Sequence, residues 1–89
     1  MEKDYDLELS KRLIEKLEKL KNKDISKYNA VVNKILQIAE NPKIGKPLKG
    51  RLKGKRRVHV GSFVLIYQID DKNRKVIFLQ FAHHDEAYR

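Results

Sequence analysis

The sequence predicts an α+β fold with the order β-α-α-β-β-β, a small and mainly antiparallel sheet with an N-terminal helical hairpin packed on one face. Three observations predict it. Two neighbouring segments between residues 11 and 41 repeat their apolar residues every three or four positions, the period of an amphipathic helix. After residue 57 the period falls to two, that of a strand. Turn signals at Gly61-Ser62 and Asp70 to Arg74 divide this second half into three strands too close in sequence to be joined by anything but hairpins.

The elements follow in order. Tyr5, Leu7 and Leu9 alternate with Asp4, Asp6 and Glu8, which predicts a short, half-buried first strand. Ser10 offers a helix cap, and Leu13, Ile14, Leu17 and Leu20 place one apolar face on a helix over residues 11 to 22. Asp24 or Ser26 caps a second helix, with Tyr28, Val31, Val32, Ile35, Leu36 and Ala39 on its inner face, and Asn41-Pro42 stops it. Val58 and Val60, alternating with Arg57 and His59, make a strand with one apolar and one cationic face. The segments Phe63–Ile69 and Val76–Ala82 are apolar on both faces, so the former reads as a central strand. A polar tail, His83 to Arg89, follows. The helical hairpin covers one face of the sheet and leaves the other for function.

Eighty-nine residues suit one domain, here residues 1–89, with one small core. There is no cysteine, so packing rather than disulfides must stabilise it, and nothing points to an oxidising compartment. No apolar run approaches the roughly 20 residues that span a bilayer, and the acidic start of the chain is wrong for a signal or transit peptide. The expected location is cytoplasmic, with no membrane partner.

The net charge of +9 is concentrated in one place. Lys43, Lys46, Lys49, Arg51, Lys53, Lys55, Arg56 and Arg57 occur within fifteen residues that contain no acid, punctuated by Gly45, Pro47, Gly50 and Gly54. The run therefore reads as a mobile loop entering a strand, and its charge suits a polyanion, either nucleic acid or an acidic protein segment. Lys46, Lys49, Arg51, Lys53, Lys55 and Arg56 are the expected RNA-binding residues. With Arg57, His59, His83, His84 and Tyr88 the chain has what metal-free RNA cleavage requires. A base takes the proton of the ribose 2′-OH, cations stabilise charge on the phosphate, and an acid protonates the leaving 5′ oxygen. Histidine titrates in the range needed for either proton step, whereas arginine supplies fixed charge and a bidentate fork to phosphate. Tyr88 can stack on a base or donate its hydroxyl.

Each candidate also has a plain structural reading: His59 as a polar residue on an exposed strand face, Tyr88 as part of a frayed end, and Tyr28, Tyr67 and Phe78 as packing. Adjacent histidines on a strand point to opposite faces, which argues against a metal site, and no cofactor is implied.

Taken in order, "NPKIGKPLKG", "RRVHVGSFVLIYQID" and "VIFLQFAHHDEAY" resemble the RelE side of the RelE/ParE toxin superfamily over nearly the whole chain. That resemblance implies the toxin of a type II toxin–antitoxin pair, an mRNA interferase that enters the ribosomal A site, cuts mRNA there by 2′-OH attack and inhibits translation. It implies an acidic RelB-like antitoxin, with the ribosome and mRNA as further partners. It places the family's basic strand residues on Arg57 and His59, its basic loop on Arg51 to Arg56, and its C-terminal His/Arg-to-Tyr motif on His83, His84 and Tyr88. One departure stands out: where many members carry arginine just after the hairpin turn, this chain has Val64. Strand parity leaves His83 and His84 equivalent, and base and acid unassigned. Two alternatives accompany this reading, a ParE-like gyrase inhibitor and a catalytically weak RNA-binding relic.

Overall fold

The computed structural model describes residues 5–87. Ser10 starts the first helix, α1 (Lys11–Lys23): its hydroxyl accepts the Leu13 N–H at 3.1 Å and donates to the Leu79 carbonyl at 2.8 Å. One side chain thus caps the helix and ties it to the last strand. Asp24 alone links α1 to α2 (Ile25–Glu40). Its backbone N–H closes α1 on the Leu20 carbonyl, and its carboxylate caps α2 by accepting the Lys27 N–H at 3.1 Å.

Leu13 and Leu17 from α1 and Val31, Ile35 and Ile38 from α2 are buried. The inner face of α2 is therefore centred on positions 31, 35 and 38. Leu36, expected on that face, is 53% exposed and Ile14 of α1 is 44% exposed. Both sit at the margin of an apolar stripe broader than the contact between two short helices and a five-stranded sheet.

The strands are β1 (Asp6–Leu9), β2 (Lys46–Pro47), β3 (Lys55–Val60), β4 (Phe63–Asp70) and β5 (Lys75–His83), ordered β1-β5-β4-β3-β2. The predicted meander is present, with β4 central. Val60 pairs with Phe63 across the two-residue turn, where Gly61 takes φ +63°. β1 pairs with β5 in parallel, and since β2–β3, β3–β4 and β4–β5 are all antiparallel, β3 runs in the direction of β1 as well and β2 and β4 against it. The short strand β2 forms within the part of the basic run that the sequence read as loop. The tail begins with a one-turn helix, α3 (His84–Ala87). Among the described residues no helix is long and apolar enough to cross a membrane.

One irregularity positions the site. Ile66 pairs with Gln80 but Tyr67 pairs with Phe78, so Leu79 is an extra residue on β5. Such a bulge inverts the side-chain alternation. Val76 and Phe78 face the helices before it, and Phe81 faces them after it, all three buried in the main core with Leu65 and Tyr67. Gln80 and Ala82 consequently lie on the other face. That face is not left open: Val64, Ile66, Ala82 and Ala87 are buried there in a second apolar cluster, with Leu48 and Leu79 packed against it. The basic loop and α3 both reach over to cover it.

Candidate nucleic-acid interface

The register assembles the cationic face row by row. His59 pairs with Val64 and Val64 with Ala82, while Lys46 pairs with Arg57, Arg57 with Ile66 and Ile66 with Gln80. Paired residues share a face, so Lys46, Lys55, Arg57 and His59 stand together on the side away from the helices. The Arg57 guanidinium, which can only donate, bonds the His59 ring at Nε2. His84 joins them from the start of α3, its ring stacked on that of His59 with centroids 6.1 Å apart and planes 19° from parallel. The His84 N–H donates to the Ser62 carbonyl at 3.0 Å, fixing its backbone against the β3–β4 turn.

The bulge at Leu79 separates the two histidines that the sequence left equivalent. His83 shares the parity of Phe81 and lies on the helix side, its ring edge-on to Phe63 at 5.5 Å. Its Nδ1 accepts the Asp85 N–H at 3.2 Å, which caps α3. His83 thus has a structural task, and His84 is the histidine beside His59. Asp85 has one carboxylate oxygen 3.5 Å from His84 Nδ1 and the other 3.7 Å from His83 Nδ1, within ion-pair reach of both. Tyr88 lies outside the described residues.

The basic run divides in the same way. Arg56 is turned away from Arg57, and its Nη1 donates to the Gly45 carbonyl at 2.7 Å and, more weakly, to that of Lys43 at 3.4 Å. It clamps the loop rather than joining the cationic face. Tyr67 holds the loop from below. Its buried hydroxyl donates to the Pro42 carbonyl at 2.7 Å and accepts the Gly45 N–H at 2.9 Å. Burial pushes the Tyr67 hydroxyl pKa above its ordinary value, partly offset by the Gly45 N–H and the Arg56 charge. Gly45 is required for this approach, since a Cβ there would lie 2.4 Å from the Tyr67 hydroxyl and 2.9 Å from the Arg57 carbonyl.

A loop expected to be mobile is therefore tied down at Pro42, Gly45 and Leu48, the last through its N–H to the Lys55 carbonyl at 2.9 Å. From this anchored base Lys49, Arg51 and Lys53 project into solvent. Tyr67 and Gly45 escaped notice as site residues because they meet only across 22 positions of sequence. Among the described residues no cluster of His, Asp or Glu is placed to hold a metal ion.

Comparison with known proteins agrees with this architecture. The family model described as the ParE toxin of the type II toxin–antitoxin system, parDE, matches residues 7–88. A Methanocaldococcus jannaschii protein classed as a toxin, RelE4, is 38% identical over 86 residues, covering 96% of this chain and 92% of its own. The toxin–antitoxin complex RelBE2 of Mycobacterium tuberculosis contains a chain that superimposes with TM-score 0.79 at 27% identity, over 92% of this chain and all of that one. The YoeB/ParE toxin of Agrobacterium tumefaciens gives TM-score 0.80 over 89% of this chain and 98% of its own, and at 17% identity it bears on the fold alone. With the family match spanning nearly every described residue and the register placing the expected basic strand, the chain belongs to the ParE toxin family of type II toxin–antitoxin systems, within the RelE/ParE superfamily.

Proposed function

We propose that this toxin is a ribosome-dependent endoribonuclease that cleaves mRNA in the A site, and that an acidic RelB-like antitoxin restrains it. The observation that carries the reading is the meeting of Arg57, His59 and His84 on one face, with the two histidine rings 6.1 Å apart. Arg57 and Lys46 supply fixed charge to the scissile phosphate. His59 and His84 are the groups able to take the 2′-OH proton and return one to the 5′ oxygen. Lys49, Arg51, Lys53 and Lys55 grip flanking phosphates and give the binding its salt dependence. The RelBE2 assembly supports an antitoxin partner, as does the net charge of +9, which seeks an acidic counterpart.

The test is induced expression of the wild type and of a His59→Ala, His84→Ala double variant, with growth followed and mRNA 5′ ends mapped on translating ribosomes. Growth arrest with A-site cuts that vanish in the double variant is the expected result. Arrest without cuts would sink the endonuclease reading. A second reading, gyrase inhibition, is favoured by the ParE description of the matching family, and a supercoiling assay with purified gyrase decides it. The burial of Val64 in an apolar cluster, at the position where the resemblance implies arginine, supports the third reading, a weak RNA-binding relic; absence of both arrest and cuts would select it.

A further inference from the structure

A nuclease that borrows catalytic groups from a larger assembly lacks a base, an acid or a fixed cation of its own. None is lacking here. His59 and His84 are both exposed on the cationic face, their near-parallel rings 6.1 Å apart between centroids, with Arg57 bonded to the first and Lys46 beside Arg57 in register. In a displacement at phosphorus the attacking and leaving oxygens stand on opposite sides, so base and acid must be near each other without touching. With a hydrogen-bond reach of about 3 Å from each ring, both can engage one phosphodiester laid across the two ring edges.

The two rings differ in their neighbours. Among the described residues Arg57 has no carboxylate partner, and its guanidinium donates instead to His59 Nε2. An accepting Nε2 puts the ring's single proton on Nδ1, so His59 is neutral and its lone pair is engaged by Arg57. A phosphate draws the guanidinium away, because charge-assisted bonds to phosphate oxygen are roughly twice as strong as bonds to a neutral acceptor. Arrival of substrate thus frees the lone pair when a base is needed. His84 faces a carboxylate: one oxygen of Asp85 lies 3.5 Å from its Nδ1, placed to pair with the protonated ring.

We infer that this chain also cleaves unpaired RNA free in solution, with no ribosome present. The inference rests on the proposed endoribonuclease and widens its substrate from ribosome-bound mRNA to single-stranded RNA. His59 Nε2 takes the proton of the ribose 2′-OH, and the 2′ oxygen forms a bond to phosphorus. The bond from phosphorus to the 5′ oxygen breaks with its electron pair on that oxygen, which takes the proton of protonated His84. The products are a 2′,3′-cyclic phosphate and a 5′-hydroxyl, and exchange with solvent restores both rings. Arg57, now on the phosphate, offsets the charge that builds there. A duplex holds the 2′ oxygen off the line of the breaking bond, so the RNA must be unpaired. Dependence on the ribosome is then a matter of rate: the ribosome holds mRNA in line, and free RNA is cut about 100-fold or more slowly for want of that alignment.

The test incubates the purified chain with a single-stranded RNA carrying a fluorophore and a quencher, in chelator-containing buffer, and applies the same preparations to mRNA on purified ribosomes. Expected are cleavage of the free RNA to 2′,3′-cyclic phosphate ends, no cleavage of the same sequence in 2′-deoxyribose, and rates about 100-fold or more lower for His59→Ala and for His84→Ala. Sulfur in place of the 5′ oxygen at the cut gives a leaving group that needs no proton. It should restore cleavage by His84→Ala but not by His59→Ala, which also shows that the His84→Ala variant is folded. Cleavage of ribosome-bound mRNA alone would overturn the inference and leave the proposed function standing, whereas cleavage of neither substrate would overturn both. Equal cutting of free RNA by wild type and both variants would place that activity outside this site and overturn the inference. Sulfur rescue of both variants, or of neither, would remove His84 as the acid and overturn it too.

Discussion

Removing one oxygen from Tyr67 should loosen the whole cationic face. In Tyr67→Phe the ring still fills its place in the core, so no large cavity forms, but two buried groups lose their partner: the Pro42 carbonyl, 2.7 Å away, and the Gly45 N–H, 2.9 Å away. A buried polar group left unsatisfied costs about 1–3 kcal/mol, so the pair should cost roughly 2–6 kcal/mol. That is a large share of the about 5–15 kcal/mol that stabilises a domain. At about 4–8 °C per kcal/mol for a chain of this size, its Tm should fall by about 8 °C or more.

The Tyr67 titration adds a second signature. Its folded-state pKa is raised above 10.0, so the neutral hydroxyl contributes stability that is fully present below pH 10 and is lost as pH rises through the raised value. The stability gap between wild type and Tyr67→Phe should therefore narrow above about pH 10. Tyr5, whose pKa is also raised, through its hydrogen bond to Asp71, titrates in both proteins and cancels. Thermal unfolding followed by circular dichroism, together with hydrogen exchange at the Gly45 amide, checks both effects. A Tm within about 3 °C of wild type, with Gly45 still protected, would refute the claim that this hydroxyl holds the loop.

Other consequences can be measured alongside. Gly45→Ala should lower stability by about 1–3 kcal/mol through overpacking, and Tyr67→Phe should not rescue it, because the added Cβ would still meet the Tyr67 ring at 2.8 Å and the Arg57 carbonyl at 2.9 Å; chemical denaturation of the single and double variants tests this. In single-turnover cleavage of ribosome-bound mRNA, His59→Ala and His84→Ala should each lower the rate by about 100-fold or more, whereas His83→Ala, on the helix side, should leave it near wild type while lowering Tm. Equal losses for His83→Ala and His84→Ala would contradict the parity assigned here. Val64→Arg places a charge in the cluster formed with Ile66, Ala82 and Ala87, so it should displace α3 and reduce stability by on the order of 2 kcal/mol, read as lost NMR contacts at Ala87 and a lower Tm.

By itself the sequence determined whatever depends on neighbours a few positions apart. The helical period, the Ser10 and Asp24 caps, the Gly61-Ser62 turn and the acid-free basic run are all local, and with them came the element order, the central place of β4 and the position of the charge. Tertiary structure decided what the two faces carry. A single extra residue, Leu79, inverts β5, and whether a strand bulges is settled by pairing with its partner rather than by its own composition. That choice places His84 with His59, sets His83 against Phe63 and puts Gln80 in the row with Arg57. The alternation already set Arg57 on the cationic face, but that its neighbour Arg56 turns to the loop carbonyls instead of to RNA depends on the loop folding back beside β3. The tether from Tyr67 to Gly45 and the cover over Val64 likewise join residues that are distant in sequence, whose contacts exist only once the chain has closed on itself.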